Sequence, residues 1–160
     1  MTREEALKLI EGSSRYAHSI LVSRIMIALA KEFLEDVDDW GIVGLLHDLD
    51  YDSVLGDMSR HGILAAEMLE GKLASGALYA IKAHDHRTGV KLRRLLDESL
   101  IFADSLAVLM EDQALGTSGD ISALDLALKE ESKRKPWISE NIQAYCRRRN
   151  VVVPRILQKL

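Results

Sequence analysis

All five histidines of this chain lie between positions 18 and 86, each at a helix end or on an apolar helix face. His18 precedes Leu21 and Val22 by three and four residues, which puts it on their face of a helix. His47-Asp48 closes the apolar part of "GLLHDLDYD". His61 opens "RHGILAAEML", and His84 and His86 end "AIKAHDH". Asp104 interrupts the apolar "LIFADSLAVLM". Imidazole and carboxylate are the ligand types that suit Zn, Fe, Mn or Ni. Neighbouring ligands on one helix end can serve two ions if a carboxylate bridges them, and Asp48 is placed to do so.

Each residue also has a plain reading. His18 can be a hydrogen-bonded core histidine, His47-Asp48 a chance dipeptide, and His61 a surface residue. Asp104 resists this most, because a carboxylate among Ile101, Phe102, Ala103, Leu106 and Val108 costs several kcal/mol to bury unless it is paired or binds a metal. Asp85, Asp97 and Asp112 are expected to be solvated.

Helices must position these groups. Ala and Leu are frequent, Glu and Lys fill the gaps, and Val, Ile and Thr nowhere alternate with polar residues for long. Thr2 with Glu5 forms a capping box for a short first helix that Gly12 stops. Further helices are expected over about 14–35, 38–48 with Asp38 as cap, 60–70 with Ser59 as cap and His61 in its first turn, 76–84, and 92–112. Gly41 and Gly44 allow a neighbouring helix to approach closely. Residues 49–58 and 87–91 are expected to be loop and turn. After the "GTSGD" loop, two helices over about 121–133 and 138–149 form a tail, with "YCRRRN" as its basic helix end. The expected fold is all-α, one domain over 1–160, with a core of five helices in about 13–112 and a C-terminal extension in about 113–160.

The chain has 160 residues, is 48% hydrophobic and carries a net charge of −4, which suits one globular domain and gives no basic excess pointing to a nucleic-acid polymer. Cys146 is the single cysteine, so there is no internal disulfide framework. No apolar run approaches the ~20 residues that span a bilayer, and "MTREEALKLI" is charged and periodic, unlike a signal peptide. A cytoplasmic protein without membrane contact is expected.

In order, His18, His47-Asp48 and Asp104 resemble the H…HD…D signature of the HD-domain superfamily of metal-dependent phosphohydrolases. "MTREEALKLI", "WGIVGLLHDLDYD", "RHGILAAEML" and "AIKAH" extend the resemblance, over about residues 1–112, to the small family of predicted HD-superfamily hydrolases. With His61 and His84 the pattern is similar to the six-ligand, two-metal version. The resemblance implies that His18, His47, Asp48 and Asp104 hold one divalent transition metal (Fe, Mn, Zn, Ni or Co) and that His61, His84 and a bridging Asp48 hold a second. Four neutral imidazoles, two carboxylates and two ions leave a site charge of about +2, which attracts an anion such as phosphate. Two ions ~3.5–4 Å apart can lower the pKa of a shared water for in-line attack on phosphorus.

The chain departs from its relatives where many carry "IGK" after the His-Asp pair; here "LDYD" follows, so phosphate must be held elsewhere. Arg60, Lys82 and Arg87 flank ligand positions and are the candidates for substrate binding, each with a plain reading as surface charge. No Gly-Tyr-Pro signature follows the fourth histidine position, which argues against a cyclic-dinucleotide phosphodiesterase. His86 can replace His84 as a ligand or act as general acid, while Asp48 is the other candidate catalytic residue. Asp50 and Asp52 can orient water or a sugar hydroxyl, or simply solubilise the loop. The expected activity is hydrolysis of a phosphomonoester, nucleotide or similar small anion. The alternatives are a di-iron HD-domain oxygenase and a metal-binding interaction module without catalysis; a homodimer is left open.

Overall fold

The computed structural model describes residues 1–54 and 56–160. The fold is all-α: nine α-helices and no strands among the described residues. They are α1 (Arg3–Ile10), α2 (Tyr16–Phe33), α3 (Val37–Leu46), α4 (Ile63–Met68), α5 (Ser75–Ala83), α6 (Leu95–Asp112), α7 (Ile121–Arg134), α8 (Pro136–Arg149) and α9 (Val153–Leu157).

α1 begins with the expected capping box. Glu5 N–H donates to Thr2 Oγ1 at 3.2 Å, and Thr2 N–H donates to Glu5 Oε2 at 2.7 Å. The cap of α3 is Asp36, not Asp38. Its Oδ1 takes the N–H groups of both Asp38 and Asp39 at 2.9 Å, so the cap lies two residues before the expected one and the helix starts at Val37. The expected loop 49–58 is wound into short 3-10 turns at Tyr51–Ser53 and Met58–Arg60; Leu55, within that loop, lies outside the described residues. Ser59 does not cap α4. It sits inside the second 3-10 turn, which Asp57 caps, and α4 starts only at Ile63. The tail holds a third helix, α9, that the sequence did not announce.

α2 lies at the centre. α3 packs on one side of it and α6 on another, α5 fills the angle between α3 and α6, α4 leans on α5, and α1 covers α3. Ile25, Leu29, Leu45, Leu46, Phe102 and Leu106 are fully buried where these helices meet, each contributing roughly 1.5–3 kcal/mol of apolar transfer. α3 reaches α2 as closely as it does because of Gly44. A Cβ there would lie 2.7 Å from the Cα of Ser23, so any larger residue pushes the end of α3 away from α2. In the extension, α8 packs along α6, α7 packs on α8, and α9 returns to α2.

Candidate metal centre

The ends of the core helices converge on one buried cluster. His18 comes from the first turn of α2, His47 and Asp48 directly follow α3, His84 caps the C-terminus of α5, and Asp104 sits in the middle of α6. His61 is not in a helical first turn as expected. It is in extended backbone (φ −61°, ψ 129°) between the second 3-10 turn and α4. Gly62, at φ +80°, then turns the chain into α4, and a Cβ on it would lie 2.5 Å from the Ile81 carbonyl and 3.0 Å from the His84 ring. Glycine at this position lets His61 and His84 meet.

Asp48 is the hub. Its Oδ1 lies 3.2 Å from His47 Nε2, 3.0 Å from His61 Nε2 and 3.5 Å from His84 Nε2. Its Oδ2 faces the other way, 3.8 Å from His18 Nε2 and 2.9 Å from Arg15 Nε. Asp104 Oδ1 is 2.9 Å from His18 Nε2 and 3.8 Å from His47 Nε2. Two sets of ligand atoms are compact enough to share an ion: His18, His47 and Asp104, and His47, Asp48 and His84.

Every imidazole in the cluster is fixed through Nδ1. His47 Nδ1–H donates to the Gly44 carbonyl at 2.9 Å, and His84 Nδ1–H to the Ile81 carbonyl at 2.7 Å. His61 Nδ1–H donates to Asp50 at 2.8 Å and His18 Nδ1–H to Glu111 at 3.0 Å. An acceptor at Nδ1 requires the proton there, which leaves Nε2 as a lone-pair donor, the usual arrangement around a bound metal. Two further observations fit a divalent ion. His47 Nε2 is buried with no hydrogen-bond partner, a costly orphan. His61 Nε2 and His84 Nε2 face each other at 3.1 Å, where two lone pairs repel unless a cation or a proton lies between them.

The electrostatics of the bare cluster are those of competing acids and bases. Burial opposes charge on His18, but Asp104 and Glu111 outweigh it and push the imidazole up to about 9. Burial likewise opposes charge on His61, and Asp48 and Asp50 push it up to about 9. Burial raises the Asp48 carboxyl, but the imidazoles of His47, His61 and His84 prevail and hold it well below the usual carboxylate range. Asp104, 27% exposed toward the cavity, is held low in the same way by His18 and His47. A divalent cation would replace those protons.

The cluster opens into a cavity of about 620 Å³. Of the other residues singled out from the sequence, His86 and Arg87 line it. The His86 side chain is 80% exposed, and Arg87 is bound to Asp85 by a forked ion pair. Arg60 and Lys82 do not line it: Arg60 pairs with Glu67 at 3.1 Å, and Lys82 lies along α5. Asp85 and Asp97 are buried rather than solvated. Asp85 holds Arg87, and Asp97 takes the N–H groups of Arg93 and Arg94 at the start of α6. Asp50 is fully buried and accepts from Gly62 N–H, Ala65 N–H and His61, while Asp52 is exposed and ties down Ser13 and Ser14.

Sequence reasoning missed Arg15, Glu111 and the wall contributed by α8. Glu111 had a signal, since it follows Asp104 by seven residues and so shares its helix face. Arg15, which stacks over Tyr51 with 5.0 Å to the ring centroid, had none.

No curated protein and no solved structure gives a significant match to this chain. The family model of the HD domain matches residues 15–109, which run from Arg15 at the cluster through Asp104 on α6. That span covers more than half of the chain and holds the five residues of the two compact ligand sets together with His61, which meets Asp48 and His84 beside them, so the chain belongs to the HD-domain family.

Proposed function

We propose that the protein is a metal-dependent phosphohydrolase acting on a phosphomonoester, nucleotide or similar small anion. The observation that carries this reading is the set of four imidazoles, each pinned at Nδ1 and aimed by Nε2 at the two oxygens of Asp48. His18, His47, Asp48 and Asp104 would hold one divalent ion, and His61, His84 and Asp48 a second. Bound there, the ions supply positive charge and a water of lowered pKa.

The chain's own residues do the rest. Arg15 spends its Nε on Asp48 and keeps its terminal nitrogens for phosphate oxygens, the task that the sequence gives to Arg60, Lys82 and Arg87. Arg87, held by Asp85 through Nε and one terminal nitrogen, keeps N–H groups of its other terminal nitrogen for the ligand. His86 stands at the rim, with Nδ1 3.8 Å from Asp85, and gives its proton to the leaving oxygen. Glu111 keeps His18 in one tautomer.

The test is metal analysis of protein purified without chelator, followed by release of phosphate from a panel of esters with Mn, Fe, Co or Ni. About two transition-metal ions per chain and hydrolysis of at least one ester support the proposal. Iron with oxygen consumption and no phosphate release would replace it with oxidation.

A further inference from the structure

The cavity has a wall that the HD-domain match does not reach. Lys135, at the cap of α8 in the C-terminal extension, and Trp137, Ile138 and Asn141 within that helix line the cavity together with the histidine cluster. A volume of about 620 Å³ is in the range of sites that enclose a whole organic ligand, far more than a phosphate group needs. The wall has a flat apolar surface and a polar edge. Trp137 lies in the first turn of α8, next to Pro136, which fixes that turn, and the residue is 48% exposed. Asn141 is four residues on and therefore on the same helix face. Its Nδ2 donates to Ser105 Oγ at 3.0 Å, which orients the amide and leaves its Oδ1 and second N–H for a ligand. Lys135 is already neutralised by Asp112, so the wall offers no strong attraction to a second phosphate.

We infer that α8 is the specificity wall of the site: Trp137 stacks on, and Asn141 hydrogen-bonds to, a planar heteroaromatic group carried by the phosphate ester. A hydrocarbon chain would leave the Asn141 amide unpaired. A small polyol would leave the indole uncovered. A nitrogen heterocycle satisfies both. Only the phosphate end of this ligand rests on the phosphohydrolase reading; the wall is tested separately.

The experiment uses the manganese-loaded protein with adenosine monophosphate, glucose phosphate and glycerol phosphate. Tryptophan fluorescence should be quenched saturably by adenosine monophosphate and not by glycerol phosphate. In Trp137→Phe the quench should vanish, because the remaining Trp40 is buried. In hydrolysis, Trp137→Ala should raise KM for adenosine monophosphate roughly ten-fold more than for glycerol phosphate, with kcat little changed, and Trp137→Phe should restore most of the loss. Absence of the quench, or equal losses on both esters, would overturn the inference. A quench and KM effect larger for glucose phosphate would reassign the wall to a sugar. If no ester is cleaved, the hydrolase reading fails while the fluorescence result still decides the wall.

Discussion

On the floor of the cavity every imidazole of the cluster is buried and tied at its far nitrogen, two by backbone carbonyls and two by carboxylates. On the α8 wall Trp137 is half exposed, and Asn141 and Lys135 are each held by one side-chain partner. Both surfaces face the same space. The floor has the rigidity a metal centre needs, since ligand atoms must stay within fractions of an ångström of their places. The wall instead leaves exposed surface and spare hydrogen-bonding groups for an organic group to cover. Substitutions on the floor should therefore change metal content, and substitutions on the wall should not.

The largest effect is expected at Asp48. Its two oxygens face different imidazoles, so Asp48→Ala should remove both ions and reduce hydrolysis to background. His61→Ala should remove mainly the ion bound by His61 and His84. Metal analysis of the two variants checks this, and equal loss in both would contradict the bridging role. Next is Asp50→Asn. The amide oxygen can still accept both N–H groups that Oδ2 of Asp50 now takes from Gly62 and Ala65, but an NH2 then replaces the oxygen that takes His61 Nδ1–H, and the charge behind His61 is gone. Metal affinity should fall by roughly 10–100-fold, as read by competition with a chelating dye. Unchanged affinity would mean that the packing around His61 alone orients it.

A smaller effect separates the two carboxylate-tied imidazoles. In the metal-free protein His18 and His61 are raised to about 9. Groups raised above their unfolded values stabilise the fold below about 6.5 and lose that contribution as pH climbs through about 9. Metal-free protein should thus lose thermal stability between pH 7 and 9.5, while metal-loaded protein, whose imidazoles are already neutral, should not. Addition of manganese at pH 7.5 should release protons from the raised imidazoles of His18, His61 and His84 into weak buffer. Release of none would show that these imidazoles are already neutral before metal binds.

The same contrast governs what could be seen in the sequence. The floor was legible because its residue types are rare: His18, His47, Asp48, His61, His84 and Asp104 stand out in a helical, Ala- and Leu-rich chain, and their order matches a known pattern. The first eight helices were legible from composition to within a few residues, but of the expected caps only Thr2 holds, because Asp36 and Asp57 take the roles that the sequence gives to Asp38 and Ser59. Two features were not. Gly62 and Asp50 act through a left-handed turn and three hydrogen bonds that no spacing announces. The wall depends on α8 folding back along α6, and Lys135, Trp137 and Asn141 are unremarkable residues until that packing sets them in one cavity with His84. Asp97 reads as a solvated residue yet is buried, because helix N-terminal capping and surface charge look alike in a sequence.

The smallest expected effect tests whether that packing matters to the floor at all. Tyr145 on α8 is buried against α6, with its ring stacked on Phe102 at 4.5 Å between centroids and its hydroxyl 2.6 Å from Ser99 Oγ. Tyr145→Phe keeps the stack and leaves Ser99 unpaired, so it should cost about 1–2 kcal/mol of stability, measured by denaturant unfolding. This bond anchors the wall and touches none of the ligands, so metal content and affinity should stay as in the parent protein. KM for the preferred ester should rise, because α8 is held less firmly against α6. A fall in metal content in this variant would mean that the extension also braces α6 beneath Asp104, and floor and wall would then have to be treated as one cooperative unit.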